Sequence, residues 1–231
     1  MSMAIGGTAG EAMSVALTAS ASRFELSERS LPGQQRPVRS EAVTRIVAGS
    51  VGGRRIRTPR GAATRPTSER VREALFSTLE SLLGSLEGVR FLDLFAGSGA
   101  VGLEAVSRGA SQAVLVEQDR PTAALITRNA HDLGLHTVTV VPYRVDHYLR
   151  TAPVDAFDVV FCDPPYALPG AELHGVVDVV VTRRWLAAGA VVALERSRHD
   201  TEPMAWEGLH EVRQRRYGDT VLWYGRASVN D

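Results

Sequence analysis

The hydrophobic residues after residue 88 fall into short runs, and segments with helical spacing separate these runs. Runs of about 4–8 apolar residues between turn residues are typical of buried strands, whereas apolar spacings of three and four are typical of helices. Strands that alternate with helices predict a parallel sheet with helices on both faces. The predicted strands are residues 89–94, 113–116, 137–141, 157–162 and 190–194. Three helices are predicted between these strands. One ends near Gly109, the second runs from Pro121 to about His131, and the third covers residues 171–184.

The end of the chain departs from this alternation. Residues 212–217 and 220–224 have strand character and flank Gly218-Asp219, which is a hairpin signal. A terminal hairpin places an antiparallel strand in an otherwise parallel sheet. The pattern therefore predicts an α/β fold with a doubly wound, mostly parallel sheet.

The first part of the chain has a different pattern. Residues 1–43 are rich in Ala, Ser, Gly and Thr and lack periodicity, which predicts a disordered or non-native tail. Residues 45–50 and 54–57 then form a predicted hairpin around Gly52-Gly53. A helix follows, with Thr67 or Ser68 as its N-cap and Gly84 or Gly88 at its end. Its apolar face is formed by Val71, Leu75, Leu79 and Leu82.

The composition excludes several classes of protein. The chain has 231 residues, 44% hydrophobic and 23% charged, which is enough for one sizeable core. No apolar run approaches the roughly 18–20 residues of a membrane span. The single cysteine, Cys162, excludes an internal disulfide, and the six histidines lack metal-binding spacing. We therefore expect a cytoplasmic protein with no membrane segment and no metal site.

The charge is balanced overall but unevenly distributed along the chain. Residues 1–75 contain 12 Arg and 6 Glu, whereas residues 76–231 contain 14 Arg and 20 acidic residues. A basic front on an acidic body predicts a surface for a polyanion such as RNA. The alternative is a solvated hairpin and helix without a partner. The predicted RNA-binding arginines are Arg54, Arg55, Arg57, Arg60, Arg65, Arg70 and Arg72.

A glycine-rich turn follows the first predicted strand of the sheet. Gly97, Gly99 and Gly102 match the spacing of a cofactor loop between a strand and a helix. Glu117 ends the next strand, 20 residues after Gly97. A carboxylate at this position can accept hydrogen bonds from both hydroxyls of an adenosine ribose. The alternative is a tight turn that only allows close packing of helix and strand.

Two cofactors suit this layout, NAD and S-adenosylmethionine. Asp93 ends the first strand four residues before Gly97, so it lies close to the cofactor crevice. A pyrophosphate would meet a like charge there, whereas the ammonium and sulfonium of S-adenosylmethionine would be attracted. Asp93 therefore favours S-adenosylmethionine.

Asp146 is a further candidate for the cofactor site. It follows the third strand at the start of a predicted short helix. Its carboxylate could accept a hydrogen bond from the adenine amino group, or it could be the N-cap of that helix. The sequence leaves both interpretations open.

The fourth strand leads directly into Asp163-Pro164-Pro165-Tyr166. In a doubly wound sheet the first and fourth strands flank the switch point, so this loop and the Gly97 loop should face one crevice. Two prolines leave a rigid loop of acceptors with few N–H donors. Asp163 and the Pro164 carbonyl can hold the two hydrogens of an exocyclic amine, and Tyr166 can stack on its ring. These residues predict methyl transfer to an amine, without a metal or a covalent nucleophile.

Several segments resemble the bacterial RsmD family, and the resemblance extends over residues 44–226. These segments are Arg45-Ile-Val-Ala-Gly49, Thr64-Arg-Pro-Thr-Ser-Glu-Arg-Val-Arg-Glu-Ala-Leu-Phe76, Leu92-Asp-Leu-Phe-Ala-Gly-Ser-Gly-Ala-Val-Gly-Leu-Glu-Ala105 and Phe161-Cys-Asp-Pro-Pro-Tyr166. The family comprises class I S-adenosylmethionine-dependent enzymes that methylate the N2 amine of one guanine in 16S rRNA. The resemblance implies a seven-stranded Rossmann-like methyltransferase domain.

The resemblance also implies roles for individual residues. Residues 44–87 would be an RNA-binding hairpin and helix, and residues 88–231 the methyltransferase domain. Asp163 to Tyr166 would hold the guanine, and Arg65 and Thr67 would close over the cofactor. The full predicted cofactor site is Thr67, Asp93, Phe95, Ala96, Gly97, Ser98, Gly99, Glu117, Gln118 and Asp146.

Two other functions remain open at this stage. The Asp163 motif also occurs in adenine-N6 methyltransferases of DNA or RNA, so it indicates an amine more strongly than a guanine. A non-catalytic RNA-binding assembly factor is the third hypothesis. We expect a monomer whose partner is 16S rRNA within the small ribosomal subunit or a late assembly particle.

Overall fold

The computed structural model describes residues 43–59, 68–151, 153–165, 167–200 and 206–228. Arg60, Arg65, Thr67, Tyr166 and the segment 1–42 lie outside these residues. The elements, in chain order, are β1 (Val43–Arg45), β2 (Arg55–Arg57), α1 (Glu69–Leu83), β3 (Arg90–Leu94), α2 (Ala100–Ser107), β4 (Gln112–Val116), α3 (Arg120–Leu133), β5 (Val138–Val141), α4 (Val145–Tyr148), β6 (Phe157–Cys162), α5 (Gly170–Thr182), β7 (Leu186–Ser197), β8 (Leu209–Tyr217) and β9 (Thr220–Ala227).

Within the described residues, seven strands form one sheet in the order β5-β4-β3-β6-β7-β9-β8. The first five strands of this order are parallel, and β9 runs antiparallel to both β7 and β8. This arrangement confirms the predicted doubly wound sheet with a terminal hairpin. Because β3 and β6 are neighbours, with Leu94 beside Cys162, the loops that follow them leave the same edge of the sheet.

Local signals placed the helices correctly. The Ser68 hydroxyl accepts a hydrogen bond from the Val71 N–H at 3.2 Å and caps α1, which ends at Gly84 with a φ of 82°. Asp119 caps α3 by accepting a hydrogen bond from the Thr122 N–H at 3.0 Å. These bonds satisfy backbone donors that a helix leaves free in its first turn.

The sheet strands are longer than predicted near the C-terminus. Strand β7 spans Leu186–Ser197 rather than residues 190–194, and its register with β6 shifts between Phe157 and Val159. Its outer end contains Glu195 and Arg196, which pair with Leu222 and Val221 of β9. Polar residues at a strand end carry no hydrophobic signal, so only their pairing with β9 shows that the strand extends to them.

The core lies on both faces of the sheet. On one face, α1, α2 and α3 pack with the hairpin β1–β2, whose Ile46 and Ile56 are completely buried. On the other face, α5 packs over the sheet around Trp185 and Trp206. The hairpin and α1 thus share one core with the sheet, and the functional boundary after residue 87 stays a prediction. No helix among the described residues is long and apolar enough to cross a membrane.

Candidate active site

A crevice of about 340 Å³ opens at the carboxyl ends of β3, β4 and β6. Both predicted loops contribute to it, Asp93 to Ser98 from one side and Asp163 to Pro165 from the other. Ligands of doubly wound sheets bind beyond the carboxyl ends of the strands, at the point where the strand order reverses. The tertiary structure therefore brings together the two motifs that lie about seventy residues apart in the sequence.

Glycine is required at the three positions of the cofactor loop for different structural reasons. A Cβ on Gly102 would lie 2.6 Å from Leu115, and a Cβ on Gly99 would lie 2.7 Å from Ile126, so both positions need glycine for close packing of α2. A Cβ on Gly97 would meet no atom closer than 3.9 Å. Gly97 and Gly99 both have a positive φ, 55° and 76°, and Gly97 also leaves its backbone open to the crevice.

Glu117 connects the cofactor loop to the next strand. Its Oε2 accepts a hydrogen bond from the Gly97 N–H at 2.9 Å, and its Oε1 accepts one from the Asp119 N–H at 2.7 Å. Burial raises the pKa of this carboxyl, and the N–H groups of Asp119 and Gly97 oppose that rise. The two bonds fix the carboxylate at the crevice wall and leave each oxygen with capacity to accept a hydroxyl.

Asp93 lies at the base of the crevice and is 1% exposed. Its Oδ2 accepts a hydrogen bond from the Gly102 N–H at 3.0 Å. Burial raises the pKa of this carboxyl to about 8, the Gly102 bond lowers it, and the charge of Glu117 raises it again. A cation close to Asp93 would favour the ionised carboxylate and so gain an electrostatic interaction in a dry environment.

Phe95 has a backbone conformation that is uncommon for a residue with a side chain. Its φ is 68°, in the left-handed region. Strained residues of this kind persist where the surrounding structure holds them, and they concentrate at binding sites. Phe95 lines both the crevice and a second cavity of about 550 Å³, so its backbone turn shapes the boundary between the two.

The loop after β6 provides acceptors at the opposite side of the crevice. The side chain of Asp163 is half-buried, Pro164 is buried and Pro165 is exposed. Both prolines line the crevice and have no N–H to donate. Tyr166 lies outside the described residues, so its predicted stacking role stays a prediction.

The charge of the crevice is one-sided. Among the described residues that line it, four are carboxylic acids and none is Arg or His. The ionised carboxylates of such a site attract a cationic ligand and repel a pyrophosphate. Asp93, whose pKa is raised to about 8, adds its charge when a cation binds. The acids are Asp93, Glu117, Asp119 and Asp163.

Comparison with known proteins assigns the family. The family model described as Conserved hypothetical protein 95 matches residues 44–226. Ribosomal RNA small subunit methyltransferase D of Escherichia coli (strain K12) is 34% identical over 169 residues, which cover 72% of this chain and 82% of that protein. The chain belongs to the RsmD family. This result confirms the resemblance seen in the sequence motifs.

Solved structures support the same assignment. The Escherichia coli protein yhhF has a TM-score of 0.71 and 29% identity, over 82% of this chain and 100% of that chain. A hypothetical protein from Thermus thermophilus has a TM-score of 0.67 and 34% identity, over 80% of this chain and 99% of that chain. The RsmD-family fold thus extends over nearly the whole length of both relatives.

The predicted N-cap role of Asp146 in this RsmD-family protein is wrong. Arg144 is the N-cap of α4, and Asp146 lies within the first turn. Its carboxylate accepts a hydrogen bond from Arg144 Nε at 2.9 Å, which lowers its pKa. Asp146 lines the second cavity together with Gln118, next to the crevice. Its predicted contact with adenine stays a prediction.

One predicted RNA-binding arginine is buried. The side chain of Arg72 is 0% exposed, its Nε lies 3.2 Å from Glu104 Oε2, and its Nη2 donates to the Arg45 carbonyl. RNA cannot reach this guanidinium in the folded protein. The prediction for Arg72 is wrong because helix periodicity does not show that a neighbouring helix supplies a buried carboxylate.

The other described arginines of the predicted RNA surface, three in the hairpin and Arg70 in α1, divide into two groups. Arg54 donates to the carbonyls of Asp132 and Leu133 at the end of α3, and Arg57 forms a 2.9 Å ion pair with Asp132. These bonds attach the hairpin to α3. Arg55 and Arg70 are exposed, and neither side chain forms a hydrogen bond or ion pair with another described residue. The RNA-binding prediction is therefore best supported at Arg55 and Arg70.

Some crevice residues of the RsmD-family chain were missed by the sequence analysis. Asp119 and Tyr143 follow β4 and β5, so the rule that ligands bind beyond strand ends could have found them. Thr58 and Pro59 follow the hairpin strand β2 and also line the crevice. No local pattern indicates that the hairpin returns to the sheet at this point.

Proposed function

We propose that this chain transfers a methyl group from S-adenosylmethionine to the exocyclic N2 amine of a guanine in 16S rRNA. The observation that carries the proposal is the crevice lined by four carboxylic acids and by no basic side chain among its described residues. S-adenosylmethionine is cationic and has no phosphate, so it suits this field better than NAD. The name of the Escherichia coli relative, ribosomal RNA small subunit methyltransferase D, supports small-subunit rRNA as the substrate.

The residues of the crevice suit the parts of this cofactor. The buried carboxyl of Asp93 would face the ammonium group, and Glu117 would accept hydrogen bonds from the ribose hydroxyls. Gln118 and Asp146 would border the adenine from the second cavity. The open backbone at Gly97 would allow the ligand to approach the loop closely.

The acceptor loop would orient the amine. When bound, S-adenosylmethionine supplies an electrophilic methyl group on a sulfonium. Asp163 and the Pro164 carbonyl would accept the two amine hydrogens, which favours a pyramidal nitrogen with an available lone pair. The Asp163 carboxylate would then take up the proton that the nitrogen loses and pass it to water. Orientation and electrostatic preorganisation account for the rate in this scheme.

The substrate base would have to be unpaired. A guanine in an A-form stem is paired and stacked, so its N2 amine is not open to in-line attack. The described part of the chain offers little surface beyond the crevice for reading a nucleotide sequence. We therefore propose that a monomer acts in the cytoplasm on the small subunit or a late assembly particle, which presents a loop guanine. Short hairpins should then be much poorer substrates than particles from cells that lack the enzyme.

The test uses small subunits from a strain that lacks the enzyme and labelled S-adenosylmethionine. We expect label in N2-methylguanosine after nucleoside digestion. Label in N6-methyladenosine would contradict the guanine assignment, and absence of label would contradict methylation of rRNA. Asp163→Ala should lower the rate by about 10²–10³-fold and leave cofactor affinity within a few-fold. Asp178→Ala, an exposed carboxylate on α5, is the matched control and should retain the rate.

A further inference from the structure

A second, polar groove lies between α1 and the edge strand β8, outside the cofactor crevice. Its volume is about 390 Å³. Helix α1 contributes three hydroxyl groups to it, and β8 contributes two guanidinium groups. The residues that carry these groups are Ser77, Thr78, Ser81, Arg213 and Arg215.

The groove carries a net positive charge. No Asp or Glu is among the described residues that line it. Arg215 is exposed, and its side chain forms no hydrogen bond or ion pair with another described residue. Arg213 reaches Glu211 at 3.4 Å, but both side chains are more than half exposed, which makes this a weak pair. The two guanidinium groups therefore remain available to an anion.

Tyr224 lies at the base of the groove. The residue is 2% exposed, and its hydroxyl approaches Thr78 without forming a hydrogen bond of normal geometry. Burial raises the pKa of this hydroxyl above its usual range, so the group stays protonated. Glu195, whose charge also acts on Tyr224, is buried and does not line the groove. The accessible donors of the groove are the two guanidinium groups and the hydroxyl groups of α1, and together they suit a ligand rich in acceptor oxygens.

The sheet register shows where the groove lies relative to the Asp163 loop. Arg215 pairs with Leu222 of β9, and Leu222 pairs with Glu195 of β7, one residue beyond the neighbour of Cys162. Arg215 thus lies at the level where the Asp163 loop begins. Strand β8 is three strands away from β6, which corresponds to about 14 Å.

We propose that this groove holds a backbone phosphate of the RNA whose target base enters the crevice. Guanidinium and hydroxyl groups together match the acceptor oxygens of a phosphodiester. The groove would be a second RNA contact, in addition to the exposed Arg55 and Arg70. The proposal rests on the proposed function, because it requires an RNA substrate.

The test compares two neighbouring arginines with the same charge. Arg215→Gln removes a guanidinium from the groove, whereas Arg216→Gln removes one from the opposite face of the same exposed strand. Binding to protein-free 16S rRNA and to small subunits is measured against salt. For Arg215→Gln we expect an affinity loss of at least about 5-fold and a slope of log K against log salt reduced by about 0.7–0.9. Arg216→Gln should stay within about 2-fold of wild type.

The outcomes separate this proposal from the proposed function. Suppose that the wild type methylates N2 of guanine. Equal effects of the two substitutions on affinity, or an unchanged salt slope for Arg215→Gln, would then overturn the phosphate proposal and leave the proposed function standing. If Arg215→Gln lowers the affinity for subunits but not for protein-free rRNA, the groove contacts a ribosomal protein, and this result would also overturn the phosphate proposal. A wild type without rRNA methylation overturns both proposals. Ser77→Glu places an acid in the groove from α1, so it should reproduce the loss without altering β8.

Discussion

Arg72 Nε lies 3.2 Å from Glu104 Oε2, and both side chains are completely buried. Glu104 also accepts hydrogen bonds from the Val47 N–H and from Arg108, so a single carboxylate of α2 connects the hairpin, α1 and its own helix. A buried charge is tolerated only when it is paired and hydrogen-bonded. The pair therefore determines how the N-terminal hairpin and α1 join the sheet.

Replacement of Arg72 should strongly destabilise the protein. Arg72→Met leaves Glu104 in an apolar environment with fewer partners, and we expect a loss of about 3–5 kcal/mol in the free energy of unfolding. Urea denaturation followed by circular dichroism measures this loss. Arg55→Met, an exposed arginine of the hairpin, should change the stability by less than about 0.5 kcal/mol. A loss below about 1 kcal/mol for Arg72→Met would show that Arg108 alone satisfies Glu104.

Cofactor binding should release a proton from Asp93. With a pKa of about 8, this carboxyl is largely protonated at pH 7 in the protein without ligand. A bound cation favours the carboxylate, so about 0.9 protons should be released per cofactor at pH 7 and few above pH 9. Calorimetry in buffers with different ionisation enthalpies measures this number. Asp93→Asn should abolish the release, and an unchanged proton count in this variant would assign it to another group.

The same carboxyl should make the stability of the unliganded protein depend on pH. The pKa of Asp93 is raised from 3.8 to about 8 on folding, so its contribution is complete below about pH 4 and is lost as the pH rises through 8. The melting temperature should therefore fall between pH 6 and pH 9. Asp93→Asn should flatten this fall, and an equal fall in both proteins would contradict the role of Asp93.

Glu117 should be required for cofactor affinity. Glu117→Ala removes the acceptor for the Gly97 N–H and one or two charge-assisted hydrogen bonds to the ligand, so affinity should fall by more than about 10-fold. Glu117→Gln keeps one acceptor oxygen and should give an intermediate loss. Calorimetric titration measures both affinities. Unchanged affinity in the alanine variant, or tight binding of NAD by the wild type, would exclude the proposed cofactor site.

The arginines of the hairpin and of the first turn of α1 should separate into RNA-contacting and structural residues. Arg55→Gln and Arg70→Gln should each lower the slope of log K against log salt by about 0.7–0.9 without loss of stability. Arg54→Gln removes two hydrogen bonds to the end of α3 and should lower the melting temperature instead. If the slope responds to Arg54 and not to Arg55, the predicted RNA surface lies on the α3 side of the hairpin.

Local sequence patterns were sufficient for most of the elements. The first hairpin strand is an exception, since it spans Val43–Arg45 and not residues 45–50 as predicted. Apolar runs predicted the strands, and Ser68 and Gly84 marked the ends of α1, because these signals depend on residues close together in the chain. The rule that ligands bind beyond the carboxyl ends of parallel strands also predicts that Gly97 and Asp163 share one crevice, and both line it.

Only the tertiary structure decided what the charged residues do. Arg55 and Arg72 look alike in a basic segment, yet one is exposed and the other is buried against Glu104. Thr58 reaches the crevice, and Arg215 joins a groove with α1, through contacts between segments far apart in the chain. A guanidinium has the same intrinsic chemistry at every position, and its role depends on the groups that the fold places around it. Long-range packing sets those groups, and the sequence carries no local signal for them.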